Sequence, residues 1–227
     1  MIKYHKIQTI FKRDPETGHK TLLDGQFSIP EFEYLQNNIW DFSEKFDGTN
    51  IRVMFDGEKL TFGGKTDDAQ IPAKLVNKLY ERFFPQIGLF KTHFPDGVCL
   101  YGEGVGAGIP KSGNYGSEQD FVLFDVLIGD WWLERKNVKT ISEGFKIPIV
   151  PIIGTGTFLD MIKMVKAGFN SNWGSFLAEG IVARPVCELK ARNGNRIITK
   201  LKHKDFAIKS KPPIRGWKKI MGVNEHE

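Results

Sequence analysis

The sequence is poor in the features that mark secreted, membrane-embedded and metal-stapled proteins. It has only two cysteines, and Cys99 and Cys187 lack the close spacing of zinc or redox motifs. No apolar run approaches the ~20 residues of a membrane helix, and the first residues, MIKYHKIQTIFKR, are too polar for a signal peptide. We therefore expect a reduced, intracellular, cytoplasmic protein without a membrane span.

Three common ligand-binding signatures are also missing. Gly64-Lys65-Thr66 is similar to the end of a phosphate-binding loop, but that motif needs a glycine where Lys59 stands. The glycine-rich segment 102–108 lacks the spacing of a dinucleotide fingerprint, and we expect a flexible loop there. The five histidines show no metal-ligand spacing. These absences argue against a P-loop enzyme, a dinucleotide-binding fold and a histidine metal site.

The chain is long enough for one well-packed domain, and its charge is distributed unevenly. A protein of 227 residues buries roughly 70% of the surface that its unfolded form exposes. The net charge is only +5, yet the segment 184–219 has twelve Lys or Arg residues and two acids, which gives it a charge of +10. Such a block is either a solvated face or a surface that binds phosphates of nucleotides or nucleic acid.

Hydrophobic periodicity predicts a mixed fold. Apolar β-prone runs and apolar stripes at helical spacing do not alternate regularly along the chain, which favours a largely antiparallel α+β domain over a doubly wound sheet. The predicted hairpins turn at Asp56-Gly57 and Asn193-Gly194. The predicted strands are 51–55, 60–62, 98–101, 121–128, 149–153, 180–186, 187–191 and 196–202. The predicted helices are 72–83, with Pro72 in the first turn, 133–144 and 158–167.

The most informative residues surround a lysine placed just before a strand. Lys45 stands beside Gly48, which would let the backbone approach a ligand closely. This is either an ordinary turn with a solvated lysine or a nucleophile whose pKa is lowered by nearby cations. The period of two in a strand puts Lys200 and Lys202 on one face, with Leu201 on the other. This pair could supply the cations.

Five segments, taken together and in this order, resemble the motifs of the covalent nucleotidyltransferases, the superfamily of ATP-dependent DNA and RNA ligases and mRNA capping enzymes. They are Lys45-Phe46-Asp47-Gly48, Tyr101-Gly102-Glu103-Gly104, the segment 121–126, the segment 179–184 and Lys200-Leu201-Lys202. Each motif alone is weak, but five collinear matches between residues 45 and 202 are specific.

Within the superfamily, the chain is most similar to the RNA ligase family of phage end-sealing and kinetoplastid editing enzymes. The lysine motif continues into Gly48-Thr49-Asn50, as it does in that family. The sequence departs from the family pattern at Lys65, where the family carries an arginine. The change keeps the charge but loses the bidentate fork of a guanidinium.

The resemblance implies a fold and a set of roles. It implies an adenylyltransferase domain of two antiparallel sheets flanked by helices, with the nucleotide in the groove between them, ATP as the AMP donor and Mg²⁺ or Mn²⁺ as the metal. Among the implied roles, Lys45 attacks the α-phosphate, while Lys200 and Lys202 neutralise charge and lower the Lys45 pKa. Glu179 binds the metal, and Lys65 contacts a phosphate. The nucleoside is contacted by Glu103 at the ribose, by the stacking ring of Phe124 and by Glu44 at the adenine amino group, and Asn50 orients the 3′-OH strand.

Each of these residues also has an ordinary structural interpretation. A phenylalanine such as Phe124 in an apolar strand is more often core than a stacking ring, and Glu103 between glycines suits a turn. Glu179 could pair with a surface lysine, while Lys200 and Lys202 could form a solvated edge. Only their order relative to Lys45 favours the functional interpretation. Asp47 and Asp125 are weaker candidates for the same site.

The length predicts one domain with a short extension. We expect the adenylyltransferase domain at 1–205 and a basic tail at 206–227, without the oligonucleotide-binding barrel or the helical C-terminal domain of related ligases. Cations interleaved with an aromatic ring suit contacts to nucleic acid. In the tail these are Lys209, Lys211, Arg215 and Lys218, with Trp217.

The sequence therefore predicts an ATP-dependent RNA ligase that joins 3′-OH and 5′-phosphate ends of RNA, or of a nicked duplex, through a lysyl-AMP intermediate. Three alternatives stay open: a DNA nick-sealing ligase, a capping guanylyltransferase that uses GTP, and a non-catalytic nucleic-acid-binding remnant of the fold. No protein partner or membrane association is indicated, and a phage-encoded origin is compatible with the resemblance.

Overall fold

The structure is a computed structural model that describes residues 3–110 and 112–206. The tail predictions at Lys209, Lys211, Arg215 and Lys218 lie outside these residues. In chain order the strands are β1 Gln8–Thr9, β2 Phe11–Arg13, β3 Leu22–Phe27, β4 Trp40–Lys45, β5 Thr49–Phe55, β6 Leu60–Gly63, β7 Val98–Val105, β8 Asp120–Ile128, β9 Trp131–Trp132, β10 Ile152–Gly156, β11 Gly180–Pro185 and β12 Thr199–Lys202. The α-helices are α1 Pro30–Tyr34, α2 Ala73–Phe83, α3 Ile87–His93, α4 Arg135–Gly144 and α5 Phe158–Ala167.

Two five-stranded sheets form the frame of the domain. One has the order β1-β12-β11-β4-β10 and the other the order β6-β5-β7-β8-β9, while β2 and β3 form a separate ribbon. Among the described residues, every pair of these strands is antiparallel except β1 with β12. The predicted mixed, largely antiparallel α+β fold is therefore confirmed.

Each five-stranded sheet has its own hydrophobic core. Leu75, Leu79 and Phe83 form the buried stripe of α2, and they belong to the core cluster of β5, β7 and β8. On the other sheet, Trp40 and Phe158 are buried in a second cluster. The helices thus cover the sheets, because a sheet or helix with one apolar face must bury that face against another element.

Local signals located α2, α4 and α5, whereas α1 and α3 were not predicted. The helix α5 has the predicted bounds, and it begins with a capping box in which Thr157 and Asp160 satisfy each other's backbone N–H groups. The helix α2 starts directly after Pro72. The hairpin of β5 and β6 turns through Asp56-Gly57, where Gly57 has a φ of 103°.

The expected flexible loop at 102–108 is wrong in its first half, because β7 continues to Val105. The glycines there serve close packing rather than flexibility. A Cβ on Gly102 would lie 2.3 Å from the Phe121 ring, and one on Gly104 would lie 2.5 Å from the Leu75 side chain. A side chain at either position would therefore force its neighbours to shift.

Two strand predictions also need correction. Ile149 makes a single bridge to Leu123, and the strand β10 begins only at Ile152. The turn at Asn193-Gly194 is present, with Gly194 at a φ of 83°, but only one bridge joins its two arms. The strand β12 instead lies between β11 and β1, where Leu201 becomes fully buried.

Within the described residues, no helix is long and apolar enough to cross a bilayer.

Candidate active site

A cavity of about 360 Å³ has walls from both five-stranded sheets. Lys45, Val182 and Lys200 line it from the first sheet, and Glu103 and Phe124 line it from the second. Nine of the sequence-predicted candidates line this cavity: Glu44, Lys45, Asp47, Asn50, Lys65, Glu103, Phe124, Lys200 and Lys202. Residues far apart in the sequence are thus brought to one place, as the collinear motifs predict.

Glu179 bridges two of the lysines. Lys45 ends β4, Glu179 directly precedes β11 and Lys202 ends β12, and these three strands are neighbours. The Lys45 Nζ donates to Glu179 Oε2 at 2.6 Å, and the Lys202 Nζ contacts Glu179 Oε1. Burial raises the pKa of the Glu179 carboxyl, but the two lysines outweigh that effect and hold the pKa below its usual value. A carboxylate between two ammonium groups therefore sits beside the cavity.

Lys200 and Lys202 share one face of β12, as predicted, while Thr199 and Leu201 are buried on the other. Burial lowers the pKa of Lys200 to about 8, and the charges of Lys45 and Lys202 add to that effect. The neighbouring lysines thus help to lower the pKa of Lys200. The same effect on Lys45 stays a prediction.

Glu103 lies on β7 directly opposite Asn50 on β5. Its Oε1 accepts a hydrogen bond from the backbone N–H of Gly48 at 3.2 Å. Burial raises the pKa of the Glu103 carboxyl to about 7, and the charges of Glu179 and Asp47 contribute. Near neutral pH this group can therefore accept or donate a hydrogen bond. Gly48 is required because a Cβ there would lie 2.2 Å from the Gly104 carbonyl oxygen.

Phe124 is half-buried and lines the cavity, so it is not simply a core residue. The Tyr4 ring packs against it edge-on, with the centroids 5.1 Å apart. Its neighbour Asp125 is fully buried and forms ion pairs with Arg184 at 3.3 Å and Arg196 at 2.6 Å. The weaker candidate Asp125 thus does not line the cavity but holds Arg184, which does.

Sequence reasoning missed the N-terminal segment. Tyr4, His5, Lys6 and Ile7 all line the cavity, because β1 pairs in parallel with β12 and runs beside Lys200. The mixture of basic and aromatic residues in MIKYHKIQTIFKR was a weak signal, but nothing local indicated which strand the segment would join.

Arg52 and Ser171 hold two of the predicted site residues, or their segments, in place. Lys65 is exposed at the cavity, and the buried Arg52 anchors its segment by donating to the Gly64 carbonyl at 2.8 Å. Glu44 is only 2% exposed, and its carboxylate accepts hydrogen bonds from Ser171 and Asn172. Neither Arg52 nor Ser171 lies in a recognised motif.

Comparison with known proteins agrees with this geometry. A model of the RNA ligase family matches residues 39–202. The RNA ligase of Naegleria gruberi with PPi is similar in structure, with a TM-score of 0.65 and 17% identity over 88% of this chain. A variant of that enzyme with AMP and Mn has a TM-score of 0.64, at 17% identity over 88% of this chain. This chain spans 56% of the length of each.

The matched segment contains the lysine motif and Glu179, the carboxylate between the lysines. It also contains the cavity-lining residues between Lys45 and Lys202 in both sheets. The chain therefore belongs to the RNA ligase family.

Proposed function

We propose that this chain is an ATP-dependent RNA ligase that joins 3′-OH and 5′-phosphate ends through a lysyl-AMP intermediate. The observation that carries the proposal is the placement of Lys45, Glu179 and Lys202 on three neighbouring strand ends beside one cavity. A nucleophile, a carboxylate and phosphate-binding cations are the groups that adenylyl transfer requires.

In the first step Lys45 Nζ attacks the α-phosphorus of ATP. A P–N bond forms, the bond from that phosphorus to the bridging oxygen breaks, and pyrophosphate leaves with the electron pair. The Lys45 ammonium must give up one proton to solvent before it attacks and a second one as the P–N bond forms, and it must also leave its 2.6 Å ion pair with Glu179. Lys200 and Lys202 line the cavity, and in this proposal their positive charge stabilises the phosphate oxygens and the leaving pyrophosphate.

The carboxylates of the site suit a hard divalent cation. In the described part of the chain, no group of three or more His, Cys, Asp or Glu side chains could hold a metal by itself. Glu179, with Glu103 nearby, would instead supply one or two oxygen ligands, and phosphates and water the rest, which is how Mg²⁺ is usually bound. Bound Mg²⁺ or Mn²⁺ would neutralise phosphate charge. The similar Naegleria structures with ATP or AMP and Mn support this choice.

The remaining cavity residues fit a nucleoside. Phe124, Glu103 and Glu44 line the cavity. In this proposal the Phe124 ring stacks on adenine, the Glu103 carboxylate accepts from a ribose hydroxyl, and the Glu44 carboxylate accepts from the adenine amino group. Lys65 would contact a phosphate from the exposed rim. In this proposal, residues 1–205 form the adenylyltransferase domain.

Two steps would complete the reaction. AMP passes from Lys45 to a 5′-phosphate end, which regenerates the amine, and a 3′-OH then attacks that end, forms the phosphodiester and expels AMP. Asn50 lines the cavity, and its buried Oδ1 has no hydrogen-bond partner among the described residues, so it is available to orient the incoming strand. The basic residues of 206–227 would hold the nucleic acid.

Sealing of a panel of nicked duplexes, with RNA or DNA on either side of the nick, tests the proposal. We expect ATP- and Mg²⁺-dependent sealing when the 3′-OH strand is RNA. Sealing of all-DNA nicks alone would favour the DNA ligase alternative, and labelling by GTP but not ATP would favour a guanylyltransferase.

A further inference from the structure

The residue before the proposed nucleophile is held by a loop that no ligase motif includes. Glu44 directly precedes Lys45 and lines the cavity, but its side chain is almost fully buried. Its Oε1 accepts a hydrogen bond from Ser171 Oγ at 2.5 Å, and its Oε2 accepts one from the Asn172 backbone N–H at 3.0 Å. Both donors come from the loop 170–177. The two oxygens are thus fixed from outside the lysine motif.

The loop is built to keep the Ser171 hydroxyl in place. Asn170 and Leu177 form a β-bridge that closes the loop, and the Ser171 N–H donates to the Phe176 carbonyl at 2.8 Å. The Ser171 Oγ also accepts from the Trp173 N–H at 3.0 Å. The Glu44 carboxylate can only accept, so the Ser171 hydroxyl donates its hydrogen to Glu44 while its oxygen accepts from Trp173. The two hydrogen bonds polarise each other.

The same loop contacts the other neighbour of the nucleophile. The Trp173 ring meets the Phe46 ring edge-on, with the centroids 4.8 Å apart. The loop therefore fixes the residues on both sides of Lys45, and it ends two residues before Glu179.

The held carboxylate can distinguish nucleobases. A carboxylate only accepts hydrogen bonds, at about four lone-pair sites, and the loop occupies two of them. Adenine presents an amino donor at the position where guanine presents a carbonyl oxygen. A carboxylate in a fixed orientation would therefore attract adenine and repel guanine, whereas a rotating one would discriminate less.

We propose that Ser171 is a positioning residue that sets the preference for an adenine nucleotide by orienting the Glu44 carboxylate. This inference rests on the proposed function, because it presumes that the cavity binds the nucleotide that labels Lys45. Ser171 itself does not touch the nucleotide and acts through Glu44.

The test compares covalent labelling by ATP and by GTP in four full-length proteins. They are the wild type, Ser171→Ala, Ser171→Thr, which keeps the hydroxyl, and the control Ser142→Ala. Ser142 is also a buried serine, 5% exposed, and its hydroxyl donates one hydrogen bond of 2.6 Å to the Ile147 carbonyl, away from the residues that line the cavity. Thermal unfolding of each variant is measured alongside.

We expect Ser171→Ala to lower the ratio of ATP to GTP labelling by about tenfold or more, the factor set by a hydrogen bond to a charged group. Ser171→Thr and Ser142→Ala should keep the wild-type ratio. If Ser171→Ala does not fold, Ser171→Cys, a weak donor of similar size, should show an intermediate loss.

Three results would overturn the inference. They are an unchanged ratio in Ser171→Ala, or in Ser171→Cys if that variant replaces it; an equal loss in Ser142→Ala; and a wild type that labels equally with both nucleotides. A wild type that labels with neither would overturn the proposed function as well, so the two failures are distinguishable.

Discussion

The Tyr4 hydroxyl donates a hydrogen bond of 2.8 Å to Asp125 Oδ2, across 121 positions of sequence. Tyr4 packs its ring against Phe124, the neighbour of Asp125. Asp125 in turn binds Arg184, which lines the cavity. The N-terminal segment is therefore part of the cavity wall, although the family match begins only at residue 39.

Replacing Tyr4 tests this wall. Tyr4→Phe keeps the ring but removes one hydrogen bond to the buried Asp125 carboxylate, which keeps its two arginine partners and the Val126 N–H. We therefore expect a loss of about 1–3 kcal/mol in the free energy of unfolding. We also expect a several-fold higher KM for ATP, because Phe124 loses a fixed neighbour. Urea unfolding measures the free energy of unfolding, and labelling rates at varied ATP concentration measure the KM. Tyr34→Phe, at a ring that is 87% exposed, should change neither, and an equal response of the two variants would refute the assigned role.

The strand character of the glycine-rich segment gives a second prediction. Gly102→Ala would place a methyl group against the Phe121 ring, and such overpacking costs about 1–3 kcal/mol in unfolding free energy. Gly144→Ala at the end of α4 meets no atom within 4 Å and should be neutral or stabilising. The urea midpoints of the two variants, compared with that of the wild type, test this expectation. A flexible loop at 102–108 would instead tolerate both.

Sequence and structure agree where local patterns decide and differ where long-range pairing decides. The period of two in β12 was enough to predict that Lys200 and Lys202 share a face, whereas only the resemblance to a known family predicted that Lys45 lies beside them. The positions of Tyr4 and Ser171 depend on the pairing of β1 with β12 and on a contact across 127 residues. No window of sequence contains that information. The glycines at 102–104 were ambiguous, because a glycine suits both a mobile loop and close packing against a partner that the local sequence does not reveal.

The lowered pKa of Lys200 predicts a pH dependence of adenylylation. Above about pH 8 the free enzyme loses the Lys200 charge, so kcat/KM for ATP should fall, since that parameter reports ionisations of the free enzyme. Lys200→Arg keeps its charge at these pH values and should not show this decline, even if its maximal rate is lower. Labelling rates at subsaturating ATP between pH 7 and pH 9.5 test this expectation. Parallel profiles of the two proteins would exclude Lys200 as the titrating group.

Glu103 predicts a pH dependence of stability. Its folded-state pKa of about 7 lies above the usual value of 4.5, so the folded protein holds this proton more tightly than the unfolded chain. The unfolding free energy should therefore fall as pH rises from about 4.5 to about 7. Glu103→Gln removes the titration. Its stability relative to the wild type should rise across that interval, as urea midpoints at pH 5 and pH 7.5 would show. A constant difference between the two proteins would contradict the raised pKa.

The central claim is that Lys45 becomes covalently joined to AMP. Incubation with α-labelled ATP and Mg²⁺, followed by a denaturing gel, tests it directly. Lys139→Ala is the matched control, because the Lys139 side chain is 69% exposed on α4 and pairs only with Glu143 within the described residues. We predict label on the wild type and on Lys139→Ala, and none on Lys45→Ala. An unlabelled wild type, or undiminished label on Lys45→Ala, would contradict the account.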